Sequence, residues 1–279
     1  MVMDTLRERN ASMLRTSPDR DSAGHSMDSA HATGKAPFTP TNMSDDAVSV
    51  HLTQSMSLDC EDQSRFSNNY VDPMFPQRPV SYAPAKRAFD LVCAVGILGL
   101  SSLPMLLVAF IIKATDRGPI FFKQVRVGRG GRLFHCYKFR SMCVDAEQKK
   151  QDLMHLNEAS GPVFKIKADP RVTRIGAFIR KMSIDELPQF LNVIKGEMSI
   201  VGPRPPLPSE VEQYGDHERK RLAVLPGITC LWQIGGRSNV TFERWVELDI
   251  EYIETMSFRQ DVAIVFKTVP AVLKGSGAH

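Results

Sequence analysis

Residues 88–112 read AFDLVCAVGILGLSSLPMLLVAFII and carry one charged side chain, that of Asp90. A helix of this length rises about 37 Å, which is enough to cross a hydrocarbon core of about 30 Å. Lys86 and Arg87 precede the stretch and Lys113 follows it, whereas a spanning helix usually carries its basic excess on the cytoplasmic side alone. The sequence therefore predicts a membrane segment, which either crosses once or returns to the side of entry.

Ser102 and Pro104 lie about two thirds of the way along this segment. Proline lacks a backbone donor and its ring clashes with the carbonyl four residues earlier, so a bend is expected there. A re-entrant hairpin, flanked on its first side by Lys86 and Arg87, would explain both the bend and the basic residues at both ends. It would keep the chain before and after the segment on one side. A single spanning helix remains the alternative.

Charge divides the chain into two parts. Residues 1–85 contain seven Lys or Arg against eleven Asp or Glu, whereas residues 86–279 contain 28 against 20. The first part is rich in polar residues and Pro, with no sustained apolar period, which is typical of disorder. We expect a disordered polar cytoplasmic extension at 1–85, a re-entrant membrane helix at 86–115 and a cytoplasmic domain at 116–279. The basic balance of the latter two regions suits anionic head groups and phosphate-bearing substrates.

Cysteine and histidine offer no framework for the fold. The five cysteines have no paired spacing and the seven histidines have no metal-ligand spacing. These patterns argue against both a disulfide scaffold and a zinc site. A reducing cytoplasmic setting is therefore expected.

The pattern after residue 115 predicts an α/β domain. Residues 119–127 and 133–142 are rich in β-forming residues and are joined by a Gly-rich turn, which indicates a β-hairpin. Strands are also expected at 198–201 and 228–234. Helices are expected at 145–159, 172–182, 183–194, 209–222, 241–256 and 259–274. The last of these has an apolar face, so it could lie on a membrane surface or pack on the core.

Asp185 and Glu186 are adjacent carboxylates at a predicted helix start. Acidic residues often cap helices, which is the structural alternative. Arg180 precedes them and Arg204 follows them, however, and acids that can hold Mg²⁺ beside arginines that can hold phosphate are the components of phosphoryl transfer. One carboxylate could also be a nucleophile that forms an acyl phosphate.

Arg204 lies between Pro203 and Pro205, which fix the backbone on both sides of its side chain. Such a guanidinium loses little entropy when it binds, so the pattern predicts an anion clamp. A rigid surface turn is the alternative.

Three further basic residues are candidates for substrate binding. Lys138 and Arg140 lie on the predicted hairpin, where phosphate binding and head-group contact are equally compatible with the pattern. Arg237 follows two glycines, which could bring backbone amides to a nucleotide, although such a stretch is usually only a turn.

These motifs occur in an order that resembles the bacterial sugar transferases, the monotopic polyprenyl-phosphate phosphoglycosyl transferases, and among them the exopolysaccharide-initiating type. The resemblance runs from residue 86 to about residue 277. The motifs are KRAFD at 86–90, GPIFFKQVRVG at 118–128, YKFRSM at 137–142, DPRVTRIGAFIRKMSIDELPQFLNVIKGEMSIVGPRP at 169–205, PGITCLWQIGGRS at 226–238 and LDIEYIETMSFRQDVAIVFKTV at 248–269.

The resemblance implies a small monotopic α/β unit on the cytoplasmic face of the bacterial inner membrane, with a re-entrant membrane helix-hairpin and interfacial amphipathic helices. It also implies an enzyme that uses UDP-sugar and undecaprenyl phosphate, releases UMP and begins exopolysaccharide or capsule biosynthesis. Glucose or galactose 1-phosphate is the expected group transferred. The expected partners are these two substrates and inner-membrane lipids, without nucleic acid, and a homodimer is left open.

The family pattern also implies roles for individual residues. Its SxDELPQ segment carries the catalytic acids, which here are Asp185 and Glu186. Asp185 would attack the β-phosphorus and carry the phosphosugar, while Glu186 would hold Mg²⁺. Arg180 and Arg204 would line the phosphate site, and Arg237 would lie on the nucleotide side.

The membrane segment departs from the family pattern, in which serine directly precedes proline. Here Leu103 separates Ser102 from Pro104, so the bend could be displaced. Two other functions remain open. The chain could be a membrane-anchored glycosyl transferase that releases UDP, or a non-catalytic scaffold for polysaccharide assembly.

Overall fold

The structure, a computed structural model, describes residues 82–235 and 240–273. Its helices are α1 (Tyr82–Asp116), α2 (Ala146–Asp152), α3 (Arg174–Lys181), α4 (Phe190–Lys195), α5 (Pro208–Val211), α6 (Asp216–Arg219), α7 (Leu231–Ile234), α8 (Phe242–Thr255) and α9 (Phe258–Leu273). Its strands are β1 (Phe121–Val127), β2 (Leu133–Phe139), β3 (Ser199–Val201) and β4 (Gly227–Thr229). Short 3₁₀ turns span Arg129–Gly131, Met154–Leu156, Ile184–Gln189 and Lys220–Ala223. Most of the extension predicted at 1–85 lies outside the described residues, as does Arg237.

The predicted hairpin is confirmed. Strands β1 and β2 pair antiparallel, with Phe121 opposite Phe139 and Val127 opposite Leu133. Gly130 and Gly131 have positive φ in the connecting turn, a conformation that glycine adopts without steric cost. The hairpin contributes Leu133, Phe134 and other buried side chains to the core, so it is anchored along its length.

Strands β3 and β4 form a separate two-stranded parallel pair, with Ser199 opposite Gly227 and Val201 opposite Thr229. A Cβ atom added at Gly227 would overlap the backbone of Gly202, so the two segments approach as closely as they do because both residues are glycine. The Pro203–Pro206 loop begins directly after this contact.

Four predicted elements differ from the structure. The helix predicted at 145–159 ends at Asp152 and is followed by the 3₁₀ turn at Met154–Leu156. The strand predicted at 228–234 is wrong in its second half, because α7 begins at Leu231 and its Trp232 ring packs 4.9 Å from that of Trp245. The helix predicted at 209–222 is broken into α5, α6 and a 3₁₀ turn, with Gly215 at the break. The helix predicted at 183–194 begins instead as a 3₁₀ turn, since Pro188 cannot donate a backbone hydrogen bond.

Both ends of α1 dock on the same globular body. Near its start, the Arg87 guanidinium donates to the Val193 and Ile194 carbonyls at the end of α4, at 2.6 and 2.9 Å. Near its end, Val108 and Ile112 are buried in a cluster with side chains from β2 and α3. The two halves of this long helix therefore share one packing partner.

A buried charge network fixes the start of α1. The Lys86 ammonium lies 3.1 Å from Asp90 and 3.2 Å from Asp261 of α9, and both carboxylates are buried. Asp90 accepts a hydrogen bond from the backbone N–H of Ile200 in β3, and Asp261 accepts one from the Tyr252 hydroxyl. Because buried charges need partners, this network ties α1, β3, α8 and α9 together.

The opposite face of α1 is apolar and exposed. Among the described residues, α1 is the helix long and apolar enough to cross a membrane. Its exposed side chains include Val92, Val95, Leu100, Leu103, Leu106, Leu107 and Phe110. The bend expected at Pro104 does not divide α1, which runs unbroken from Tyr82 to Asp116, so two helices joined by a turn are not observed.

Helix α9 packs one face on the core and exposes the other. Ile264 is buried, whereas Phe266 and Val269 are largely exposed. Packing on the core is therefore confirmed for one face, and contact of the other face with a membrane surface stays a prediction.

Candidate active site

The acid pair lies in a 3₁₀ turn that packs against strand β2. Ser183, directly before the turn, has a left-handed φ of 55°, which is uncommon for a residue with a side chain. This conformation redirects the chain as it leaves α3 and places Asp185 in the interior with 8% of its surface exposed. Backbone strain of this kind is concentrated at functional sites.

Asp185 is surrounded by charges of both signs. Burial and the neighbouring Glu186 carboxylate raise the pKa of Asp185 to about 6, against the lowering effects of Lys138 and Arg180. The Lys138 ammonium lies 2.9 Å from the Glu186 carboxylate. The structure therefore brings Lys138 and Arg180 to the acid pair from β2 and α3.

Four hydrogen bonds hold the Pro203–Pro206 loop, one to each of its four backbone carbonyls. Backbone N–H groups of Gly227 and Val127 donate to Pro203 and Pro206, at 2.8 and 2.9 Å. Side-chain guanidinium groups of Arg221 and Arg126 donate to Arg204 and Pro205, at 3.5 and 2.8 Å. The Arg204 side chain is thus presented from a backbone that is bonded at every residue.

The sequence pattern did not assign a role to the two supporting arginines. Arg221 is buried and forms an ion pair with buried Asp249 at 2.8 Å. Arg126 is buried as well, and burial together with the charge of Arg204 lowers its pKa to about 10. Glu186 also acts on the Arg126 pKa, so this one buried guanidinium feels the charges of both Glu186 and Arg204. Only the position of Arg126 within a basic hairpin signalled it in the sequence.

A cavity of about 690 Å³ lies beside the loop. Its walls include the basic side chains of Lys165, Lys167, Arg171, Arg180 and Arg204, the acidic side chains of Glu158 and Asp169, and the aromatic side chains of Phe164, Trp232, Phe242 and Trp245. Neither Asp185 nor Glu186 lines it. Arg180 connects the two regions, because it lines the cavity and also lowers the pKa of Asp185.

Arg140 does not line the cavity. Its guanidinium is so close to Gly118, beyond the end of α1, that a Cβ atom on that glycine would overlap it. Its backbone N–H donates to the Ile120 carbonyl. The structure therefore places Arg140 beside the connection from α1 to β1, outside the cavity wall.

Comparison with known proteins identifies the family. The family model described as bacterial sugar transferase matches residues 81–275. The galactosyl transferase CpsE of Streptococcus agalactiae is 52% identical over 200 residues, which are 71% of this chain and 44% of that protein. The undecaprenyl-phosphate galactose phosphotransferase of Salmonella typhimurium is 43% identical over 202 residues, covering 70% of this chain and 41% of that protein.

A third relative has nearly the same extent as the matched region. The exopolysaccharide production protein ExoY of Rhizobium meliloti is 41% identical over 206 residues, which are 72% of this chain and 91% of that protein. By contrast, the chain spans less than half the length of the Streptococcus and Salmonella relatives. With most of its length matched by the family model, this chain belongs to the bacterial sugar transferase family.

Proposed function

We propose that this chain transfers galactose or glucose 1-phosphate from a UDP-sugar to undecaprenyl phosphate and releases UMP. The proposal depends on one observation, the buried Asp185 carboxylate with a pKa of about 6 beside Glu186, Lys138 and Arg180. The name of the Salmonella relative supports the lipid acceptor and galactose. The name of ExoY supports a place in exopolysaccharide production, where the same step would begin a lipid-linked glycan.

The chemistry takes place in two displacements. A carboxylate oxygen of Asp185 attacks the phosphorus that carries the sugar, and the bond from that phosphorus to the bridging oxygen breaks, so UMP leaves with the bridging oxygen. The sugar phosphate is then joined to Asp185 as a mixed anhydride. An oxygen of undecaprenyl phosphate attacks the same phosphorus, and Asp185 leaves as a carboxylate. With a pKa of about 6, Asp185 is mostly ionised at neutral pH, so the first step needs no base.

Positive charge near the pair suits this reaction. Lys138 and Arg180 would stabilise the charge that develops on the transferred phosphoryl group. Arg204, held by its backbone, would bind the diphosphate without a large loss of entropy. Pro203 and Pro205 would act only through the conformation that they give to this loop.

Magnesium is part of the proposal. In residues 82–235 and 240–273, no group of three or more His, Cys, Asp or Glu could hold a metal. Mg²⁺ commonly binds one or two carboxylates together with substrate phosphates and water, and the Asp185–Glu186 pair fits this requirement. Burial and the negative charge of Glu186 raise the pKa of Asp185, and a bound cation would offset the second of these causes. Glu186 would hold the ion, which when bound would neutralise charge on the diphosphate.

The docking of α1 supports a particular arrangement of the chain at the membrane. Since both ends of α1 contact one body, we place both at the cytoplasmic face of the inner membrane, with the exposed apolar face of α1 entering the bilayer. The exposed Phe266 and Val269 of α9 would meet the same membrane surface. Undecaprenyl phosphate would approach from this side.

A second reaction must be distinguished, because the Streptococcus relative is named a galactosyl transferase. In that reaction the sugar moves without its phosphate and UDP is the product. The test supplies the purified full chain in detergent with Mg²⁺, undecaprenyl phosphate and one of several UDP-sugars, and identifies the nucleotide released.

UMP released with one donor, and lost in Asp185→Asn, would support phosphosugar transfer. Asp145→Asn is the matched control, because Asp145 is a half-exposed acid paired with Lys149 outside the cavity wall. UDP as product would establish the glycosyl transferase, and a folded chain that releases no nucleotide would favour the scaffold.

A further inference from the structure

Both tryptophans of the chain line one cavity. Trp232 and Trp245 are the only two in the sequence, and both belong to the wall of the cavity beside Arg204. Trp245 is buried, and the guanidinium groups of Arg204 and Arg221 lie 5.7 and 4.8 Å from its ring. Trp232 is only partly buried, so its ring has surface left for a ligand.

A loop at 157–165 forms another part of the cavity wall, and hydrogen bonds of Asn157 close this loop where its two ends meet. Asn157 accepts the Lys165 backbone N–H at 2.8 Å and donates to the Val163 carbonyl at 3.1 Å. Ser160 at the loop tip accepts the backbone N–H of Phe242 at 2.9 Å, which joins the loop to the start of α8. Lys165 is therefore fixed in the cavity wall by its own backbone and by the loop around it.

Lys165 and Arg204 both add positive charge to this cavity, and the Glu158 carboxylate in the same wall offsets part of the charge at Lys165. Neither forms an ion pair with a carboxylate in the part of the chain that the structure describes. Asp169, the nearest acid in sequence, is already paired with Arg171 at 2.6 Å. Burial and the charge of Arg204 lower the pKa of Lys165, which means that the two cations repel each other across a partly dehydrated space. A bound phosphate would relieve this repulsion.

The position of the cavity favours a water-soluble ligand. Its walls include no residue of α1, the helix that we place in the membrane. Its volume lies within the range of about 300–1,000 Å³ that is typical of small-molecule sites. Arg180 lines the cavity and its charge also acts on Asp185, so a ligand that contacts Arg180 would have one end within reach of the charges of the acid pair.

We infer that this cavity binds the nucleoside diphosphate part of the donor, with Lys165 and Arg204 on the diphosphate and Trp232 stacked on the nucleobase. The inference deepens the proposed function and rests on it. Lys165 becomes a substrate-binding residue that the sequence motifs do not single out. The aromatic wall supplies stacking on the base, an interaction that every nucleobase can make and that is separate from the charge interactions of the phosphates.

Intrinsic fluorescence tests the assignment, because both emitting side chains line the cavity. UDP, UMP or undecaprenyl phosphate is titrated into the full chain in detergent, with excitation at wavelengths where uridine does not absorb. UDP should give a saturable change and undecaprenyl phosphate should give none. Lys165→Met should weaken UDP binding by about tenfold or more, as expected for a lost charge-assisted hydrogen bond.

Two further variants make the test specific. Lys165→Arg keeps the charge and should bind UDP nearly as the unaltered chain does. Lys149→Met removes an exposed lysine paired with Asp145 and should have no effect. The assignment is overturned if Lys165→Met behaves as Lys149→Met does, or if the lipid phosphate gives the change that UDP does not.

The test separates the cavity from the reaction. A chain that releases UMP but shows no saturable response to UDP would overturn the cavity assignment and leave the proposed function standing. A chain whose UDP response depends on Lys165, but which releases no UMP, would support the cavity and overturn the reaction.

Discussion

The ionisation of Asp185 connects local geometry with reaction rate. Burial and Glu186 raise its pKa, and Lys138 and Arg180 lower it, so the balance of about 6 depends on identifiable neighbours. A carboxylate that is hard to ionise is also a stronger nucleophile once ionised, which suits a residue that must attack phosphorus.

Substitutions of Glu186 and Lys138 should move the pKa of Asp185 in opposite directions. The rate of UMP release is expected to fall about tenfold per pH unit below about pH 6, as Asp185 gains a proton. Glu186→Gln removes a negative neighbour and should shift this fall to lower pH, whereas Lys138→Met should shift it to higher pH. Single-turnover pH profiles measure both, and shifts in the same direction would contradict the electrostatic account.

Asp185→Asn should abolish turnover and stabilise the fold. The pKa of Asp185 in the folded chain lies above the ordinary value of 3.8. Folding therefore favours the neutral carboxyl group, a contribution to stability that is fully present below about pH 3.8 and is lost as the pH rises through about 6 and Asp185 ionises. At neutral pH the substitution should therefore raise the free energy of unfolding by about 1–3 kcal/mol. Unfolding in detergent at pH 5 and pH 8 checks this, with a larger gain expected at pH 8. Asp145→Asn, at an exposed site, should show no such gain.

At the scale of elements, the loop that carries Arg204 depends on support from the β-hairpin. Arg126→Met would leave the Pro205 carbonyl without its guanidinium donor, at a cost of about 1–3 kcal/mol, and would loosen the loop. We expect the kcat/KM for the UDP-sugar to fall at least about tenfold, for a folded protein that still binds detergent micelles. Arg129→Met changes an exposed arginine of the same hairpin and should be neutral. Equal effects of the two would contradict the support role.

Helix α1 should present both ends to the cytoplasm. In a variant without the native cysteines, Ala85→Cys and Thr115→Cys place thiols at exposed positions near its two ends. A membrane-impermeant reagent should label both in inside-out vesicles and neither in right-side-out vesicles. Labelling of the two thiols from opposite sides would establish a spanning helix.

Local chemistry explains which elements the sequence predicts well. The β-hairpin and α8 follow from a glycine turn and a helical apolar period, and both signals are local. The split of 209–222, the helical turn at Leu231 and the 3₁₀ turn at Asp185 depend on packing or on single Gly and Pro residues. The acids and Arg204 were found from motifs, but Arg221 with Asp249 and Lys165 with Arg204 are distant in sequence and meet only through the fold.

At the scale of the whole molecule, the residues placed at the candidate site all follow the start of α1. The described elements begin at Tyr82, and the docking contacts of α1 begin at Lys86. Deleting residues 1–80 is therefore expected to leave the UMP-release rate within about twofold, since the acid pair, the Arg204 loop and the docking contacts of α1 are all formed by residues from Lys86 onward. Rates of the full and shortened chains in the same detergent measure this. Complete loss of turnover in a folded, membrane-bound truncation would assign the removed segment a role in catalysis.

The pairing of Lys86 with Asp261 has a consequence for how the protein is made. About 175 residues separate the two, so at about 5–20 residues per second the ribosome adds Asp261 roughly 10–35 s after Lys86. During that interval α1 can meet the lipid with Asp90 already one turn away, but without the helix that completes its buried charge network. The charge network that docks α1, the first described helix, is thus completed only by α9, the last one, so this docking is a late event of biosynthesis.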